Sequence, residues 1–300
     1  EQRFDNLTHG AQHSLATRVK SYSDLLRGLE ALFRTSEQLT RRQFHDYVAG
    51  LDIARQFPAI ESVNYAVAVS PAQRAAYIDG VRLDTSLAPR GYPDFTIRPA
   101  GERPEYTVLT YLEPDSLLAE RMGVDIGANP LVAQALRQAR DSGEISASGQ
   151  VIMIKGPPAH AGLGMRLPVY RNGMPQGSVA ERRAAYQGSV GIGFGVAQLV
   201  HSALERSALE PLHLTLYSAA DPLTAGGPLS ITPQDRLLFN DDGDLAAAPP
   251  QPGSDADYFD QVLPVAYQGG LWKAHFRVRK AELYSPFDRY FPWLALGVGV

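Results

Sequence analysis

The chain has 300 residues, a formal net charge of −4 and 44% hydrophobic residues, a globular composition with room for roughly two structural units. Its 28 Lys and Arg residues are spread thinly, leaving no basic stripe on which a nucleic acid would bind. Cysteine is absent, which excludes disulfides, thiolate metal sites and cysteine nucleophiles together.

From the N-terminus, apolar residues fall at Phe4, Leu7, Ala11, Leu15, Val19, Tyr22, Leu26, Leu29 and Phe33. Spacings of three and four trace one stripe on a long helix, available either to its own domain or to a second copy of the chain. Thr40 and Gln43 form a capping box for a second helix that runs to Gln56 and ends at Pro58. Val63, Tyr65, Val67 and Val69 alternate as a half-buried strand, and Ser70-Pro71 opens another helix.

Strands are expected at Phe95 to Arg98 and Glu105 to Leu112, the latter running into the acidic turn Glu113-Pro-Asp115. Asn129 and Pro130 cap a helix that Gly143 closes. Further strands surround Ile152 and Leu167 and span Val190 to Phe194, followed by a helix from Val196 to about Ser207. Leu212 to Tyr217 reads as a strand, and Val262 to Tyr267 with Leu271 to Val278 as a hairpin around Gln268-Gly-Gly270. Helices feeding strands that return as hairpins indicate an α+β fold. Residues 291–300 are apolar throughout, half the length of a membrane span, with Tyr290, Phe291 and Trp293 as an aromatic belt. They read either as the start of such a span or as a short buried terminal element.

Few residues form a recognisable catalytic or metal pattern. His9 and His13 stand one helical turn apart without a third ligand, and the Asp241 to Asp257 loop lacks the ligand order of a calcium site. Gly188, Gly191, Gly193 and Gly195 have the wrong spacing for a dinucleotide fingerprint. Glycine at alternate positions instead strips one face of a strand, so that a backbone, a helix or a flat ligand can approach closely. No nucleophile elbow or phosphate loop is present. No cofactor, metal or catalytic residue is therefore expected.

The middle of the chain carries a more specific succession. A strand leads into Glu113-Pro-Asp115, a helix ends on Ala139-Arg140-Asp-Ser-Gly143, Leu167-Pro-Val-Tyr170 follows, and Glu181-Arg182 precedes the glycine-rich strand from Gly188 to Phe194. Over about residues 55 to 280 this order resembles the CHASE domain, the extracytoplasmic sensor module of plant cytokinin receptors and bacterial receptors. The resemblance implies a long N-terminal helix followed by two PAS-like subdomains, membrane-distal and membrane-proximal. Residues 1–57 would then be a helical stalk, 58–206 the distal ligand-binding unit, 207–285 the proximal unit and 286–300 the start of a truncated membrane helix.

The implied function is a periplasmic sensor in an inner-membrane receptor, dimeric through the N-terminal helix, with a histidine kinase, diguanylate cyclase or phosphodiesterase output outside this chain. In the plant receptors a carboxylate after the strand meets an adenine ring, which implies an adenine-like or other nitrogenous ligand here. Glu113 and Asp115 both fit that position, and Ser148 stands where the family has Thr. Tyr111, Met165, Tyr170, Gly191, Gly193 and Phe194 are the other expected lining residues. Alternatives are a partner-binding or dimerisation ectodomain without a small ligand and, with less support, a periplasmic hydrolase.

Overall fold

The computed structural model describes residues 1–36, 38–114, 118–147, 152–154, 160–204, 212–219, 229–243, 256–267 and 270–283. The chain divides into two compact units, Lys20–Leu199 and Glu1–Val19 with Val200–Val300. Helix α1 (Gln2–Arg34) is continuous and supplies residues to both. Asp115, Ser148 and residues 284–300 lie outside the described residues. Among the described residues no helix is long and apolar enough to cross a membrane.

In the unit Lys20–Leu199, α2 (Arg41–Gly50) starts on the expected Thr40–Gln43 capping box, and α3 (Ile53–Gln56) follows. Asp52 between them adopts φ 47°, so the helix foreseen up to Gln56 breaks in two. Next come β1 (Ile60–Val69), α4 (Arg74–Arg82), β2 (Tyr106–Glu113), α5 (Pro130–Ser142), β3 (Ser146–Ala147), β4 (Ile152–Ile154), β5 (His160–Tyr170), α6 (Val179–Ala185) and β6 (Tyr186–Gly195). The strands form one antiparallel sheet in the order β2-β1-β6-β5-β3, with β4 also paired to β5. Helix α5 is capped as the sequence indicates: Leu131 and Val132 donate their backbone N–H groups to the Asn129 side chain, and Gly143 closes the helix at φ 82°.

One sheet face is filled by aromatic and aliphatic side chains. Tyr22 of α1 meets Phe194 edge-on at 5.3 Å between ring centroids, and Phe33 meets Tyr65 at 4.3 Å. Such ring pairs add about 0.5–1.5 kcal/mol beyond the area they bury. The stripe read along α1 is buried within this chain except at Leu7, which is half-buried while Thr8 beside it is covered. Each fully buried Leu, such as Leu15, Leu26 and Leu29, contributes about 1.5–3 kcal/mol.

Phe95 to Arg98 is not a strand. Phe95 and Ile97 are buried in a core cluster as their alternation implies, but the backbone makes only one bridge, Arg98 with Val124. Pro99 next to it has no N–H with which to extend a ladder. A carboxylate ties this loop to the sheet: Asp125 is buried and accepts from the Thr107 N–H at 2.8 Å and the Gly127 N–H at 3.0 Å, with Arg103 3.6 Å away.

In the unit Glu1–Val19 with Val200–Val300, α7 (Val196–Ala203) lies across the unit boundary in sequence. It is followed by β7 (His213–Ser218), β8 (Arg236–Asn240), β9 (Tyr258–Tyr267), β10 (Gly270–Arg279) and α8 (Lys280–Leu283). These strands form an antiparallel sheet in the order β8-β7-β10-β9, and the expected hairpin is β9-β10 with Tyr267 opposite Gly270. Strand β8 was not foreseen, because its five residues are flanked by loop-like sequence. Phe4 of α1 stacks on Phe259 at 5.5 Å, and Thr8 donates to the Gln261 side chain at 2.7 Å. Two antiparallel sheets with helices on their faces match the expected α+β, PAS-like architecture.

Two outcomes are expected. Asp125→Ala leaves two buried N–H groups without an acceptor and should cost about 3 kcal/mol in urea unfolding; a loss under about 1 kcal/mol contradicts the tethering role. His213 lies 3.4 Å from Asp241 and 3.1 Å from Asp242, and the hydrogen bond to Asp241 raises its pKa above the ordinary value. Its stabilisation is complete below the unfolded pKa of about 6.5 and is lost as pH rises through the higher folded value. The melting difference between wild type and His213→Gln should accordingly be largest below the unfolded pKa of about 6.5 and shrink as pH rises above it. A difference that grows with pH contradicts it.

Candidate ligand-binding site

Strand β6 lies in the middle of the larger sheet, and its side chains alternate between the two faces. Val190, Ile192 and Phe194 point to the α1 side, whereas Gly191 and Gly193 fall on the other. The register sets residues of four strands in line with these glycines. Asn64 of β1 is opposite Gly191, Gly191 opposite Arg166 of β5, and Arg166 opposite Ser146 of β3. In the next row Ser62 is opposite Gly193 and Gly193 opposite Gly164.

Above these rows is a cavity of about 330 Å³ lined by Ser62, Asn64, Ser146, Gly164, Arg166 and Gly193 from the sheet. Leu109 of β2, Ile126, and Val132, Ala135 and Leu136 of α5 give it an apolar wall, and Arg121 stands at its side. Its size lies at the small end of the usual range for ligand pockets. A second cavity of about 690 Å³ adjoins it, sharing Ser62, Arg121 and Gly193, and is lined further by Ile53, Ile60, Glu61, Glu113, Leu118, His160 and Leu163.

Arg166 dominates the smaller cavity. Its Nε donates to Ser189 Oγ at 2.8 Å, Nη1 to Asn64 Oδ1 at 2.7 Å and Nη2 to the Ser189 carbonyl at 2.7 Å. All three acceptors are neutral. Desolvation by burial pulls the Arg166 pKa down, and repulsion from Arg121 pulls in the same direction. Arg121 is itself lowered by desolvation. Both guanidinium groups nonetheless remain charged, since their ordinary pKa lies above 12.

Gly191 makes this arrangement possible. A Cβ there would sit 2.4 Å from Arg166 Nη1 and 2.7 Å from Cζ. The bare strand face foreseen from the glycines is therefore occupied at Gly191 by a guanidinium, and at Gly193 it is approached by the Ser62 hydroxyl.

The expected lining residues are divided by the sheet. Gly193 borders both cavities and Gly191 lies beneath Arg166. Glu113 borders the larger cavity, where His45 Nδ1 is 2.8 Å from its Oε1. Phe194 packs on Tyr22, and Met165 pairs with Ile192 on the same helix-facing side. Tyr111 packs between Phe44 and Tyr65 and donates its hydroxyl to the Leu39 carbonyl at 2.9 Å, while Tyr170 donates to the Arg140 carbonyl at 2.6 Å. These four do not border either cavity. Asp115 and Ser148 fall outside the described residues. Sequence reading missed Arg166, Arg121, Asn64 and Ser62. The available signal was a charged residue inside the otherwise apolar or glycine-bearing strand Gly162-Leu-Gly-Met-Arg-Leu-Pro-Val-Tyr170.

Gly191→Ala should displace the Arg166 guanidinium and cost about 1–3 kcal/mol in chemical denaturation. Gly10→Ala in α1, where nothing lies within 4 Å of an added Cβ, should instead be neutral or stabilising. Equal behaviour of the two variants contradicts the role given to Gly191.

A family model for the CHASE domain matches residues 37–226. Comparison with curated proteins returned no match. Among solved structures, the extracellular ligand-binding receptor from Desulfohalobium retbaense DSM5692 aligns at a TM-score of 0.55 and 10% identity, over 93% of this chain and 40% of that one. The ligand-binding domain of the Pseudomonas aeruginosa PAO1 amino acid chemoreceptor PctC, in complex with GABA, aligns at 0.55 and 14% identity, over 93% of this chain and 99% of that one. That of PctB from the same organism, in complex with L-Gln, aligns at 0.51 and 14% identity, over 100% and 99%. At such identities the likeness is one of fold. The chain spans less than half of the Desulfohalobium receptor and nearly the whole of the two Pseudomonas domains. With more than half of its length matched by the family model, the chain belongs to the CHASE family of extracytoplasmic sensor domains.

Proposed function

We propose that this chain is the ligand-binding sensor of a membrane receptor and that the small molecule binds in the 330 Å³ cavity over Gly193 and Arg166. The observation that carries this reading is a cavity inside the larger unit combining an apolar wall with a few convergent polar groups, Ser62, Asn64, Ser146 and Arg166. Further support comes from the Pseudomonas domains of like fold, whose structures hold GABA and L-Gln. The adjoining larger cavity, with Glu113 at its edge, is a second compartment for a longer ligand or a route of entry. Signalling requires that the ligand bind one conformational state better than another.

The rest of the assignment extends from family membership. The receptor is placed in the inner membrane with its sensor in the periplasm, residues 58–206 distal and 207–285 proximal to the membrane. A histidine kinase, diguanylate cyclase or phosphodiesterase lies beyond this chain. Because the apolar stripe of α1 is buried within the chain, a homodimer would pair through the opposite, exposed side, which carries His9, His13, Thr17, Lys20 and Asp24.

A thermal-shift screen of small metabolites tests the site. A ligand at 100 times its Kd adds about 2.7 kcal/mol and raises the midpoint. Ala135→Trp, which fills the cavity from α5, should melt near wild type and lose the shift. A shift retained in that variant, or a screen without any hit, contradicts the assignment.

A further inference from the structure

We propose that the smaller cavity takes a small organic carboxylate bearing no ammonium group, its carboxylate held between Arg166 and Arg121 and its body against the Leu109, Val132 and Leu136 wall. The proposal rests on the sensor reading above and adds the chemical class of the ligand.

Charge accounting leads to it. The described lining of the smaller cavity contains two guanidinium groups and no carboxylate. Arg166 has five N–H donors and spends three, all on neutral oxygens. Arg121 makes no hydrogen bond or ion pair among the described residues. Both side chains are half-buried, and charges drawn out of water are ordinarily paired, because desolvation without a partner is unfavourable. Two such groups also repel one another, and each is penalised by desolvation.

Among the described residues, the carboxylates that line the adjoining cavity are already engaged. Glu61 pairs with His160, Glu113 lies 2.8 Å from His45, and Asp52 lies 3.2 Å from Arg55. The missing negative charge is therefore one a ligand can bring. A planar guanidinium with free N–H groups matches a carboxylate in geometry as well as in sign. Conversely, an ammonium group would enter beside two cations with no acid among the described lining residues to receive it. This distinguishes the cavity from a site built for zwitterionic amino acids such as those held by the Pseudomonas domains.

Isothermal titration of the purified chain with ligands sharing one carbon skeleton reads the class directly. The probes are 4-methylpentanoate, 4-methylpentanamide and leucine, with inorganic phosphate as a second anion. The acid should bind at least about tenfold tighter than the amide and than leucine. Arg121→Gln and Arg166→Met should each weaken the acid by about tenfold or more and erase its advantage over the amide. The ratios within wild type stand even if Arg166→Met fails to fold. Leucine or the amide binding as tightly as the acid overturns the proposal, as does phosphate binding more tightly than the acid. Absence of acid binding up to about 10 mM, a weak-affinity limit near 3 kcal/mol, also overturns it. If a neutral or cationic compound shifts wild type but not Ala135→Trp, the sensor reading stands and the carboxylate assignment falls; a screen without any hit removes both.

Discussion

The pleat of strand β6 is the constraint on which the sensor unit depends. Because successive residues point to opposite faces, a single strand can present Phe194 and Ile192 to one layer and, from Gly191 to Gly195, no side chains to the other. The greasy side binds the unit to the second half of α1 through Tyr22 and Phe33, with the energetics of an ordinary core. The bare side leaves volume that neighbouring strands enter with polar side chains. Both surfaces come from ten consecutive residues, so neither can slip in register without destroying the other.

Charged side chains are withdrawn from water in this unit under unequal terms. Asp125 is buried, but two backbone N–H groups and Arg103 compensate it, so it serves the fold. Arg41 is likewise buried and compensated, with Asp84 3.2 Å from its Nε, the Thr110 carbonyl on Nη1, and the Tyr92 and Tyr111 rings 4.3 and 4.9 Å from its Cζ. Arg166 and Arg121 differ because none of their described partners carries negative charge. The protein thus contains buried charges compensated by their neighbours, whereas the two half-buried arginines that line the cavity have no counterion among the described residues.

How much of this could be read from sequence follows from the range of each signal. Caps and turns are local: Thr40 with Gln43, Asn129 with Pro130, and Gly143 state their roles within a few residues, and the structure agrees with them. Helix α6 carries the same kind of signal, a Ser178–Glu181 capping box, although no helix is expected there from the sequence analysis. The family succession from Glu105 onward conveyed the fold and the module. The site was less legible because it is made by register. Arg166 acquires meaning only when Gly191 and Asn64 stand beside it across two strand pairings, which bring Arg166 and Asn64 together from 102 positions apart. Parity was available for β6, yet Phe194 and Gly193 were placed on one surface although consecutive strand residues face apart.

The fit of Arg166 over Gly191 also orders the steps by which such a cavity can change its preference. A shortened side chain at 166 leaves the glycine with spare room, so this substitution can come first and later permit a larger residue at 191. The reverse order is costlier, since any Cβ at 191 meets the guanidinium and must displace it. Divergence of this site therefore has a favoured direction: the cation departs before the strand is filled, and a descendant with a side chain at 191 must have given up or re-routed the arginine.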